Sequence, residues 1–106
     1  MEMTIIDDTM GAAQFAADRP VPSTVFENAR TKVVVGAVHA GQRIPSHPEA
    51  LAVYYFLQGE GWMTVNGERA AVRPGMTVVT PEGSLRGMEA ESDIAFLAVR
   101  VAPLDP

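Results

Sequence analysis

Cysteine is absent from this 106-residue chain, which excludes disulfides, thiolate catalysis and cysteine-ligated zinc or iron–sulfur centres. Long apolar runs are absent as well. None approaches the ~20 residues that a bilayer crossing needs, so no membrane partner is expected. Basic charge is scarce: eight Lys and Arg stand against thirteen Asp and Glu, a formal charge of −5. That balance lacks the basic footprint of nucleic-acid and anionic-lipid binders. The start, Met-Glu-Met-Thr-Ile-Ile-Asp-Asp, does not have the basic-then-apolar order of a signal peptide, and a cytoplasmic location is expected. Nor is there a P-loop, a G-x-G-x-x-G ahead of a helix, an H-E-x-x-H or a G-x-S-x-G. What is there is ordinary globular material, 47% hydrophobic and 20% charged, in a length suited to one core. Small molecules or other proteins remain as partners.

The first 32 residues differ from the rest and form an N-terminal extension, with the main domain at 33–106. Within the extension, Thr4–Ile6 suits a short strand, and GAAQFAA at Gly11–Ala17 suits one or two helical turns. Pro20 and Pro22 then force extended chain. From Val33 onward come short apolar runs separated by turns. These are Val33–Val38, Ala52–Leu57, Trp62–Val65, Ala70–Val72, Met76–Thr80 and Ile94–Val101. Asn66-Gly67 is a strong hairpin signal, since both residues tolerate the positive φ of a type I′ turn. Short strands at this spacing predict an all-β fold, a small antiparallel barrel or jelly roll.

The punctuation resembles the small cupins. Gly41-Gln-Arg-Ile-Pro45-Ser-His47-Pro-Glu49, followed by the stretch from Val53 to Gly59, is similar to their first motif, G-x5-H-x-H-x3-4-E-x6-G. Gly75 to Pro81-Glu82-Gly83-Ser84-Leu85-Arg86 is similar to their second, G-x5-P-x-G-x2-H. The likeness covers about Val33 to Val101. It implies a conical barrel with a pocket at its mouth, a homodimer in many members, and a divalent metal held by three histidines and a carboxylate.

Of those four metal positions, His47 occupies the first and Glu49 the second. The carboxylate position falls on Ala52, Val53 or Tyr54, none of them acidic, and the last histidine falls on Arg86, which does not ligate metal. His47 and Glu49 share a strand face, so the pair is the candidate for metal binding and for proton transfer. His39, the other histidine, has the same parity and fits either a third ligand or a barrel-wall residue. By the resemblance Glu49 and Arg86 converge, and as opposite charges they suit a bidentate ion pair in the space of the ion. Arg86 equally suits the anchor of a carboxylate, phosphate or enolate. Tyr54, Tyr55, Phe56 and Trp62 are candidate cavity aromatics. Alternation sends Tyr54 and Phe56 to one face and Tyr55 to the other, without saying which faces inward. Met88, two residues beyond Arg86, is a candidate pocket wall. Ser46 adjoins His47 but points to the other face.

The expected function is binding of a small, anionic organic ligand in the barrel, metal-free or weakly metal-binding, with or without catalysis. The alternative is a metal-dependent dioxygenase or isomerase using iron, manganese, nickel, copper or zinc on a non-standard ligand set. A homodimer is expected, with the Thr4–Ile6 segment as an arm to a partner's sheet edge.

Overall fold

The computed structural model describes residues 2–102. Nine strands are formed among them: β1 (Val21–Glu27), β2 (Thr31–Val38), β3 (Arg43–Pro48), β4 (Leu51–Gln58), β5 (Gly61–Val65), β6 (Glu68–Val72), β7 (Thr77–Thr80), β8 (Leu85–Ala90) and β9 (Ile94–Val101). They make two antiparallel sheets, in the orders β1-β2-β9-β4-β7 and β3-β8-β5-β6. The core lies between them, so the architecture is the all-β jelly roll the sequence predicts.

Period-two alternation builds this core. Along β4, Ala52, Tyr54 and Phe56 are buried while Leu51, Val53 and Tyr55 are exposed. That pattern resolves the one-residue ambiguity in the sequence: Tyr54 faces inward and Tyr55 outward. Phe56, Val38 and Ile94 are fully buried and join Met63, Val72, Met88 and Ala90 from the opposite sheet in one cluster. Phe96 on β9 lies over Gly36, its cross-strand partner on β2. A Cβ at Gly36 would stand 2.1 Å from the ring, so only glycine leaves room for it. At the β5–β6 turn, Asn66 (φ 50°) and Gly67 (φ 85°) both take the left-handed conformation, as Asn-Gly predicts.

The N-terminal stretch departs from expectation. Thr4–Ile6 forms no strand, and GAAQFAA gives only a 3₁₀ turn at Met10–Ala12. A three-residue apolar run has no stability as a strand without a sheet edge to pair with. Isolated helical turns this short are likewise unfavourable. The segment is instead held through Phe15, whose ring lies 5.0 Å from that of His39, and by Gln42 Nε2 donating to the Ala16 carbonyl at 2.8 Å. The larger sheet takes in Val21–Glu27 and begins β2 at Thr31, so it includes residues that the sequence assigned to the extension. Pro22 sits on β1, an edge strand, where a missing N–H is tolerated.

Candidate functional site

Between the sheets lies a cavity of about 400 Å³ whose wall includes one edge strand of each sheet, β1 and β3, and the inward faces of β2, β4, β8 and β9. Strand β3 carries the device that shapes it. Ile44 pairs with Met88 and His47 with Arg86, so β3 has one residue more than β8 over this stretch. Residues three apart normally face opposite ways, but this bulge turns both Ile44 and His47 to the cavity. The bulge folds closely over Gly87, where a Cβ would stand 2.7 Å from the Ile44 carbonyl oxygen and 3.0 Å from the Ser46 nitrogen. Gly87→Ala is therefore expected to cost about 1–3 kcal/mol by forcing the bulge outward. Urea denaturation measures the loss, and wild-type stability in the variant would mean that the bulge yields freely.

Arg86 projects from β8 into the interior with only 1% of its surface exposed. Its Nη1 donates to the Ala50 carbonyl and to Thr80 Oγ1, both at 2.8 Å. Nε and Nη2 have no hydrogen-bond partner among the described residues. The ion pair expected with Glu49 is not made as a hydrogen bond, because Glu49 Oε2 is 4.0 Å from Nη2. Glu49 binds Arg100 instead, with Nη1 donating to Oε2 at 2.7 Å. Arg100 occupies the inward parity of β9, directly opposite Ala52 on β4, and is partly exposed at the rim. A shorter, less buried pair needs less desolvation, which favours this partner over Arg86. His47 Nδ1 donates to the Pro45 carbonyl at 3.0 Å, which fixes the ring with Nε2 3.6 Å from Glu49 Oε2.

Burial alone would raise the Glu49 carboxyl, but the charge of Arg100, the hydrogen bonds from Ala50 and Arg100, and the charge of Arg86 outweigh it. They hold the carboxyl below its ordinary value of 4.5. A carboxylate lowered by folding stabilises the protein above its unfolded value, and that stabilisation is lost as pH falls through the folded one. The melting-temperature difference between wild type and Glu49→Gln is therefore expected to be full at neutral pH. It should shrink below about pH 4.5 and vanish in stronger acid. A pH-independent difference would assign the effect of Glu49 to packing. Tyr54 is raised from its ordinary 10, by burial first and with the charge of Arg86 opposing, so its hydroxyl is a neutral donor at pH 7.

Among the sequence-predicted residues, His47, Glu49, Tyr54, Arg86 and Met88 are brought together around the cavity. The others lie elsewhere. Tyr55 is on the outer face of the first sheet, 42% exposed. Phe56 is in the core beside the cavity without lining it. Trp62 is on the outer face of the second sheet, donating to Glu91 at 2.7 Å with the Arg69 guanidinium 3.9 Å from its ring centroid. His39 Nδ1 is 3.0 Å from Asp93 and takes no part in the cavity. Sequence reasoning missed Arg100, Arg43, Ile44 and Phe96 as wall residues, and Thr80 as the anchor of Arg86. For Arg100 a signal existed: Ile94, Phe96, Ala98 and Arg100 share the inward parity of β9, and a charge ending an apolar face marks a rim.

The donor set does not fit a divalent cation. Among the described residues no three His, Cys, Asp or Glu side chains come close enough to hold one. The carboxylate nearest His47 is already neutralised by Arg100, and the buried Arg86 guanidinium would repel the ion.

The jelly roll, its positive-φ glycines at the turns and the cavity between its sheets define a cupin barrel. Residues 32–100 match the Cupin domain model, and the chain belongs to that family. Solved structures with the same fold include a conserved protein of unknown function from Streptococcus pyogenes, with a TM-score of 0.85 at 24% identity over 99% of this chain and 93% of that one. The TT1209 protein from Thermus thermophilus matches with a TM-score of 0.85 at 29% identity, over 95% of this chain and 100% of that one. An RmlC-like cupin from Desulfovibrio desulfuricans matches equally well, with a TM-score of 0.85 at 26% identity over 97% and 100% of the two chains. No curated protein shows significant similarity. No helix among the described residues is long and apolar enough to cross a membrane.

Proposed function

We propose that this cupin binds a small organic anion in its barrel, with Arg86 as the anchor. The observation that carries this reading is the buried guanidinium whose Nε and Nη2 lack partners among the described residues. Each buried unpaired donor costs about 1–3 kcal/mol, more when charged, and an anion offsets that cost on binding. The surrounding charge supports it. Arg43, Arg86 and Arg100 line the cavity against Glu49 alone, an excess of two positive charges in a chain whose formal charge is −5. Arg100 and Arg43 attract the anion to the mouth, Tyr54 supplies a neutral hydroxyl, and His47 with Glu49 stands beside the bound group as the pair able to exchange a proton.

A ligand at about 100 times its Kd stabilises a folded domain by about 2.7 kcal/mol. Saturating small carboxylates are therefore expected to raise the melting temperature by roughly 10 °C at constant ionic strength. A melting temperature indifferent to acetate, benzoate and phosphate alike would overturn the reading.

We further propose that a homodimer forms through the outer face of the first sheet. The outer face of the first sheet presents Val53 between Val79 and Val99, with Tyr55 beside Leu97 and Leu51 beside Val101. Val79 is 59% exposed, and Val53, Tyr55 and Leu51 about 40%. A contiguous apolar face of this kind suits an isologous contact with a second copy. Val53→Glu is expected to shift the protein from dimer to monomer in analytical ultracentrifugation with its fold intact. A monomeric wild type would remove the proposal.

A further inference from the structure

Resting on the anion-binding reading, we infer that the ligand is a monocarboxylate with a compact apolar body, an aromatic or branched ring acid in chemical class. The first argument is the geometry of the open donors. Nη1 of Arg86 is consumed by Ala50 and Thr80, and what stays unpaired among the described residues is Nε with Nη2, both buried. These two share one edge of the guanidinium plane and point their hydrogens in parallel, the arrangement that receives both oxygens of one carboxylate. A fork clamped on its other side cannot swing to follow a different anion. Arg86 is thus a pre-oriented receptor for a planar two-oxygen group.

The second argument is the rest of the wall. Beyond the polar cluster it includes Val34, Val38, Ile44, Met63, Met88 and Phe96, and among the described residues the lining contains no serine, threonine, asparagine, glutamine or lysine. A sugar acid, nucleotide or polyol would set hydroxyls against this apolar stretch, where each one left unpaired costs about 1–3 kcal/mol. A ring or branched chain has no such groups, and Tyr54 and Phe96, with ring centroids 5.5 Å apart, offer it aromatic contact. The third argument is charge. Arg100 is already paired with Glu49 at 2.7 Å and Arg43 is exposed at the mouth, so inside the barrel Arg86 is the arginine without a close counter-charge. A second negative charge on the ligand's inner end would meet the apolar wall. One charge at one end is what the cavity accommodates. Its volume, about 400 Å³, is at the small end of ligand pockets.

The test is calorimetric titration of the full chain with benzoate, cyclohexanecarboxylate, acetate, phthalate, inorganic phosphate and neutral benzamide at fixed ionic strength. Benzoate and cyclohexanecarboxylate are expected to bind at least about tenfold more tightly than acetate, phosphate or phthalate, and benzamide not to bind. In ¹⁵N-labelled protein, one arginine Nε–H resonance should shift on benzoate addition, and Arg86→Lys, which keeps the charge but loses the parallel edge, should weaken benzoate at least about tenfold. Should that variant fail to fold, the wild-type resonance shift still decides. Phosphate or phthalate binding more tightly than benzoate overturns the monocarboxylate inference while leaving an anion site. No binding of any anion at roughly 10 mM overturns both.

Discussion

Arg86→Met is expected to weaken anion binding roughly 100-fold while leaving the melting temperature within roughly 5 °C of wild type or above it. The two effects separate because of how the guanidinium is held. Its burial is nearly complete, yet its two parallel donors have no partner among the described residues and the closest carboxylate stands 4.0 Å away. Removing such a group removes a desolvated charge rather than a formed ion pair, and methionine fills similar volume. Glu49 is not orphaned, because Arg100 still binds it at 2.7 Å. What is lost is a donor to the Ala50 carbonyl and Thr80 Oγ1, about 1 kcal/mol each. The melting temperature should therefore stay within roughly 5 °C of wild type or rise. Affinity for benzoate should fall by about 3 kcal/mol, roughly 100-fold, for a charge-assisted bidentate contact. Calorimetric titration and thermal melting of the same preparation decide it. A melting temperature lowered by more than about 10 °C with affinity unchanged would make Arg86 a structural residue.

Phe56→Ala should behave in the opposite way. The side chain is fully buried between the sheets, near Phe96, with a ring-centroid separation of 6.1 Å. Truncation removes a large apolar group and leaves a void the two sheets cannot close, at a cost of about 3–5 kcal/mol. Against a typical stability of about 5–15 kcal/mol this is a major fraction, and the melting temperature should drop by roughly 15–30 °C. Phe56 does not line the cavity, so benzoate affinity measured well below the new transition should change by no more than about threefold. A tenfold loss of affinity in a stable variant would place the ring among the ligand contacts after all.

The contrast between these residues explains what the sequence disclosed and what it withheld. Alternation along AVYYFL and the Asn66-Gly67 turn announce strands and a hairpin, because side-chain direction and backbone φ are set by neighbours in the chain. The resemblance, through the Gly75 to Arg86 spacing, implies that Glu49 and Arg86 converge. In the structure β3 and β8 do pair there, with His47 directly opposite Arg86 and Glu49 4.0 Å from it. Parity names a face but not a neighbour on that face. Glu49 is 51 residues from Arg100, and Thr80 is six from Arg86 across a turn, so both partnerships depend on how strands assemble. The β3 bulge breaks strict alternation altogether, which is why Ile44 escaped notice while His47 did not. Strand β1 is obscured by the prolines at its start: Pro20, just before it, and Pro22, within it, announce extended chain, yet they say nothing about whether a sheet edge waits to receive it.

Those prolines have a consequence for how the molecule behaves in a crowded solution. The larger sheet ends on one side at β1, which carries Pro22 and a register break between Thr24 and Phe26, and on the other at the four-residue β7, closed by Pro81. A passing unfolded chain seeking to extend the sheet as a new strand would find a proline and a kink at one border and too few rungs at the other. Fibrillar growth by strand addition is thus discouraged at both margins of that sheet.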